Sequence, residues 1–129
     1  MAEPGLAPEG VETDRPSVAR LYDFFLGGHH NYAADRELGR QLIQAEPNAR
    51  MIVKENRDFL GRAVRYLLSC GVRQFLDLGS GIPTQENVHE IAQLGDPEAR
   101  VIYVDNDQGV VAHSKHLLRG NPLQLIAPV

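Results

Sequence analysis

Apolar residues first return with a helical period at Val18, Leu21, Tyr22 and Phe25, offsets of three, four and seven. Ser17 stands where a helix cap belongs and Gly27-Gly28 where the helix should stop. A second helical stretch begins near Asp35 and carries Leu38, Leu42 and Ala45 on one side until Pro47 interrupts it. The third follows directly, with Ile52, Asn56, Phe59, Ala63, Tyr66 and Leu67 predicted on its inner face and Gly71 as its close. Beyond Gly71 the period shortens. "VRQFLDLG" is a brief apolar run ending in an acid, "NVHEIAQLG" is helical, and "RVIYVDND" is a second apolar run ending in acids. This order predicts strand, helix, strand, with Pro83-Thr84 at the helix start and Gly95-Asp96-Pro97 at its end. A further helix carries Val110, Val111, Ser114, Leu117 and Leu118 on one face and stops at Gly120-Asn121-Pro122, after which "LQLIAPV" can form a third strand.

The first fifteen residues combine proline, glycine, alanine and acids without apolar periodicity, so they read as a disordered tail. The rest divides into a helical amino-terminal cap over 16–71 and a strand-helix-strand unit over 72–129, within the 129 residues expected of one domain. A net charge of -4 gives no general attraction to phosphate backbones, which argues against nucleic acid as a partner. One cysteine, Cys70, cannot form an internal disulfide. The start "MAEPGLAPEG" has no apolar targeting segment, and no apolar run approaches the ~20 residues of a membrane span, so the chain reads as soluble and cytoplasmic, with no membrane partner.

The candidate chemistry sits in "FLDLGSG". In an open parallel sheet, ligands bind at the carboxyl ends of the strands, where Gly79 and Gly81 permit a tight turn and close approach. Asp105 ends the second strand, 24 residues after Gly81, near the offset at which an acid takes the ribose hydroxyls of a bound adenosine. A third glycine of the dinucleotide fingerprint is replaced by Thr84, and no Lys-Ser or Lys-Thr follows for a Walker-type site. Asp77, two residues ahead of Gly79, would repel a pyrophosphate and favour a ligand with an ammonium and a sulfonium group. S-adenosyl-L-methionine carries both, and a ribose. Taken alone, a glycine pair after an apolar run also reads as a plain strand-to-helix turn.

"FLDLGSG" followed by "VIYVDND" resembles the first two cofactor motifs of class I S-adenosylmethionine-dependent methyltransferases. "PSVARLYDFFLGGHHNYAADRE", "ENRDFLGRAVRYLL" and "GIPTQENVHEIAQ" are similar to an actinobacterial group of them, the S-adenosyl methyltransferase family, formerly a domain of unknown function. The resemblance runs from about Pro16 to Pro122. It implies an α/β, Rossmann-like class I methyltransferase fold with an amino-terminal helical cap and an incomplete parallel sheet. It also implies a cofactor site of Asp77, Leu78, Gly79, Ser80, Gly81, Asp105 and Asn106, with Tyr22 and Asn31 from the cap motif. Asp77 would face the methionine end and Asp105 the ribose. Members of the group commonly carry Lys-Asp in place of His29-His30, so that pair inherits no role. A class I methyltransferase normally continues through seven strands, including the substrate-facing ones, and this chain resembles only the first part.

Other residues read more plainly. Asp107 is expected as a helix cap, His113 and His116 as solvent-facing, and Cys70 as a small packing residue. Arg57, Arg62, Arg65 and Arg73 are expected on a solvated face, and Tyr22 and Phe25, by spacing alone, in the core. No metal cluster, nucleophile or general base stands out, so the catalytic residues stay unassigned. The expected activity is methyl transfer to a small-molecule or protein acceptor. The alternatives are a non-catalytic S-adenosylmethionine-binding module that needs a partner chain and, more remotely, an NAD-binding fragment. Without a neighbour from later in the fold, the strand "QFLDL" would have a bare edge open to homo-oligomer formation.

Overall fold

The structure, a computed structural model, describes residues 7–120 and the backbone of 124–128. Three helices come first: α1 (Val18–Phe25), α2 (Ala33–Ala45) and α3 (Ala49–Ser69). They are followed by β1 (Gln74–Leu78), α4 (Val88–Gly95), β2 (Arg100–Asp105), α5 (Gln108–Leu117) and β3 (Gln124–Pro128). The strands form one parallel sheet in the order β1-β2-β3. Phe75 lies beside Val101 and Asp77 beside Tyr103 in the first pairing, and Asp105 beside Pro128 in the second. Each connection passes through a helix, as parallel neighbours require.

Alternation along the strands decides what each sheet face meets. Val101 and Tyr103 of β2 are buried in one core with Val64 of α3, Val88, Ile91 and Ala92 of α4, and Ala99, and Phe75 packs against that core. The opposite face carries Leu76, Leu78 and Ile102, which are 61%, 70% and 38% exposed. β1 pairs on one side with β2 and, among the described residues, with nothing on the other.

The inner face of α3 differs from the expected one. Val64 and Gly61 are buried and Leu60 and Leu68 partly so, whereas Ile52, Phe59 and Tyr66 are more than half exposed. Both sets satisfy a helical period, and α4 selects between them because Ile91 packs close to Gly61. Cys70, expected to pack, is exposed at the end of α3. α4 starts at Val88, later than Pro83-Thr84 suggests. Asn87 is its cap residue, and the Glu90 side chain accepts the Asn87 N–H at 2.8 Å, an acid at the third helical position reaching back to the cap.

Buried polar groups fasten the helical cap to the sheet. Asp35, fully buried, accepts from the Ser17 N–H at 2.9 Å, the Tyr32 N–H at 2.8 Å and the Arg20 Nε at 2.8 Å. Arg20 is itself buried, so this pair is held by shared hydrogen bonds as well as by charge. The Ser17 hydroxyl accepts from the Arg20 N–H at the start of α1 and donates to Asp107 at the start of α5. Of the expected tail, residues 1–6 lie outside the described residues. Further along it, the Val11 N–H closes a turn onto the Pro8 carbonyl, and Val11 lies close to Gly109 at the start of α5.

Candidate functional site: a cavity at the carboxyl end of the sheet

The first two strands end beside a cavity of about 580 Å3, roofed by α1 and walled by α3. Asp77, Gly79, Ser80 and Gly81 line it from the first strand and its turn, Asp105 and Asn106 from the second, and Tyr22 from the cap. A volume of this order suits a nucleoside-sized ligand. Leu78 instead projects from the sheet face opposite the α3 and α4 packing and is largely exposed. Asn31 is buried behind the wall, where its amide donates to Asp23 at 2.8 Å and to the Gly28 carbonyl at 3.0 Å.

The glycine turn owes its shape to backbone conformation. Gly79 and Gly81 have φ of +67° and +69°, a region that side chains disfavour, and an added Cβ at either would meet open space. Their amides are already engaged. The Val104 carbonyl accepts from Gly79 N–H at 2.8 Å and from Ser80 N–H at 3.2 Å, and Asp105 Oδ2 accepts from Gly81 N–H at 2.9 Å. Asp105 Oδ1 accepts the Asp107 N–H at 2.9 Å, so one carboxylate joins the ends of both strands. Asp107 caps α5, as expected, accepting from Gly109 and Val110.

The lining is strongly acidic. Asp23, Asp77, Asp105 and Asp107 share it with Arg57, the sole basic residue among the described lining. Asp77 makes no side-chain hydrogen bond among the described residues. Burial raises its pKa above the ordinary carboxyl value, the Arg57 guanidinium opposes that shift, and the Asp105 carboxylate adds to it. Two polar atoms of the wall, Asp23 Oδ1 and Ser80 Oγ, are buried and have no hydrogen-bond partner among the described residues. Such atoms are rare in folded proteins, and here both belong to one cavity.

Asp23 and Arg57 do not follow from sequence reasoning. Asp23 is 1% exposed, with Oδ2 accepting from the His30 N–H at 2.9 Å and from Asn31. An acid inside the apolar pattern of α1 is the signal that could have found it. Arg57, expected on a solvated face, turns onto the loop after the glycines, where Nη2 donates to Asn87 Oδ1 at 3.1 Å and to Thr84 Oγ1 at 3.3 Å. His113 is buried, not solvent-facing. Its ring lies edge-on to His30 at 5.5 Å, and burial, with the neighbouring His30, lowers its pKa to about 4. Among the described residues no three His, Cys, Asp or Glu side chains gather as a metal site, and no helix is long and apolar enough to cross a membrane.

A helical cap on a parallel sheet, with acids ending the first two strands around a glycine turn, defines a methyltransferase-like chain of the Rossmann-like class. Residues 4–127 match the S-adenosyl methyltransferase family, and the chain belongs to that family. It is similar to the crystal structure of a candidate methyltransferase from Thermobifida fusca YX, with a TM-score of 0.90 and 42% identity over 97% of this chain and 47% of that one. A DUF574 family protein from Streptomyces avermitilis MA-4680 is also similar, with a TM-score of 0.84 and 42% identity over 91% of this chain and 46% of that one. The chain thus spans about half the length of these solved relatives. No curated protein matches it.

Proposed function

We propose that the cavity binds S-adenosyl-L-methionine and that the chain is the cofactor-binding part of a methyltransferase acting on a small-molecule or protein acceptor. One observation carries this reading against NAD. The three amides of the glycine turn, which would cradle a pyrophosphate, donate inward to Val104 and Asp105, and the described lining carries four carboxylates to one guanidinium. Such a wall repels phosphate and attracts a cation.

In this reading Asp77 attracts the cationic methionine end of the cofactor and Asp105 accepts from the ribose hydroxyls through the lone pairs its amide partners leave free. Tyr22, held by the Asn56 amide at 2.8 Å, covers the ligand from the helical side. The cofactor supplies an activated methyl group, so the protein's part is to align the acceptor and exclude water. A second cleft of about 420 Å3 shares Leu26, Arg57 and Thr84 with the first and offers the acceptor a way in.

Calorimetric titration of the chain with S-adenosylhomocysteine and with NAD tests the proposal: the first should bind and the second should not, and binding of NAD alone would overturn it. A binding module dependent on a partner chain is the second reading, favoured by the bare edge of β1 and the exposed Leu76 and Leu78. Turnover of labelled S-adenosylmethionine by the purified chain decides between the two.

A further inference from the structure

Among the described residues, Arg57 is the one basic side chain of the acid-lined cavity, which it shares with Asp77. Arg57 projects from the middle of α3 and is half-buried against the loop that follows the glycine turn. Its Nε and Nη2 donate to the Gln85 carbonyl, Thr84 Oγ1 and Asn87 Oδ1 at 3.1–3.4 Å. Nη1 makes no hydrogen bond among the described residues, which leaves donors of the guanidinium fork unspent. The charge lies near enough to Asp77 to oppose the effect of burial on its carboxyl group. Of the other lining acids, Asp23 comes from the cap, Asp105 ends the second strand and Asp107 caps the helix after it.

We propose that Arg57 and Asp77 form a zwitterion clamp for the amino-acid end of the ligand, Arg57 taking the α-carboxylate and Asp77 the α-ammonium. This deepens the S-adenosylmethionine reading and rests on it. A wall of acids alone would favour any cationic nucleoside, including one without a carboxylate. A single guanidinium lining the cavity with Asp77 makes it selective for a ligand with both charges on adjacent groups, because the Nη1 donors that the loop leaves unspent can meet a carboxylate in a charge-assisted hydrogen bond. The existing bonds to the loop hold the fork in place before the ligand arrives, so little side-chain freedom is lost on binding.

The test compares two probes, S-adenosylhomocysteine and 5′-methylthioadenosine. The second keeps the nucleoside and thioether but lacks the ammonium and carboxylate. In calorimetric titrations of the chain, Arg57→Met should weaken S-adenosylhomocysteine by about tenfold or more, the loss of a charge-assisted hydrogen bond. It should change 5′-methylthioadenosine by less than about twofold, because that probe never reaches the guanidinium. Arg57→Lys, which keeps a cation, should retain most of the preference for S-adenosylhomocysteine. Equal weakening of both probes would show that Arg57 only braces the 84–87 loop, and no weakening of either would show that it faces solvent; each result overturns the clamp and leaves the cofactor reading intact. Failure of the unmutated chain to bind either probe would overturn the cofactor reading, and the clamp with it.

Discussion

Asp77 bears a cost in the absence of ligand that explains how a single carboxyl group serves binding. Its pKa is raised in the folded chain, chiefly by burial, so folding disfavours its ionised form. The destabilisation therefore begins as pH rises past the ordinary value of 3.8 and is complete above the raised value. Asp77→Asn removes the ionisation at little change in shape. The variant should melt higher than the parent at pH 7 and no higher near pH 3, while its affinity for S-adenosylhomocysteine falls by about tenfold. Paired thermal melts at the two pH values check the first part, and a lower melting temperature at pH 7 would contradict it. Asp77 is legible in the sequence because an acid closing an apolar run has few structural reasons to be there. Arg57 is not, because Lys54, Arg62 and Arg65 surround it on the same helix and only the packing of the 84–87 loop against α3 distinguishes it.

At the scale of elements, the sequence pattern predicts the order and kind of every helix and strand described, and its misses concern phase and caps. Periodicity along α3 establishes a helix but not which way it faces, since Ile52, Phe59 and Tyr66 keep helical spacing just as Leu60, Val64 and Leu68 do. The choice comes from α4, a contact between segments distant in sequence. The start of α4 moves to Val88 because Asn87 and Glu90 supply a better end than Pro83-Thr84. The "GGHHNY" stretch shows its use only in the fold. Gly28 lies against Asp23 so closely that an added Cβ would come 2.0 Å from Oδ1, and His30 and Asn31 then supply the donors to Oδ2. At the start of α1, Ser17→Ala should destabilise the chain by about 1 kcal/mol, the usual loss of a side-chain helix cap, as measured by denaturant unfolding. No change in stability would mean that the hydroxyl contributes nothing to the cap.

For the whole molecule the governing fact is asymmetry of cover. Parallel sheets are ordinarily packed on both faces, whereas here α3 and α4 cover one and leave Leu76, Leu78 and Ile102 exposed on the other. The adjoining edge of β1 offers free N–H and C=O groups without a lysine, proline or bulge to discourage pairing. We propose that the 129-residue chain by itself associates into dimers or larger species through this edge and face. Sedimentation velocity should show a concentration-dependent mass that Leu78→Lys reduces; a stable monomer with a cooperative, high-temperature melt would refute it. The distribution of cover also orders events in time. The hydroxyl of Ser17 reaches a partner 90 residues along the chain, so on the ribosome the three amino-terminal helices are complete long before Asp107 exists to receive it. Closing so long a loop is expected late in folding, after the local helical contacts and the strand pairs that bring the two ends together. An interaction made after the rate-limiting step affects the way out more than the way in. The part of the loss in Ser17→Ala that comes from the Asp107 contact should accordingly appear as faster unfolding with refolding nearly unchanged, which makes Ser17 a latch on the lifetime of the closed cap.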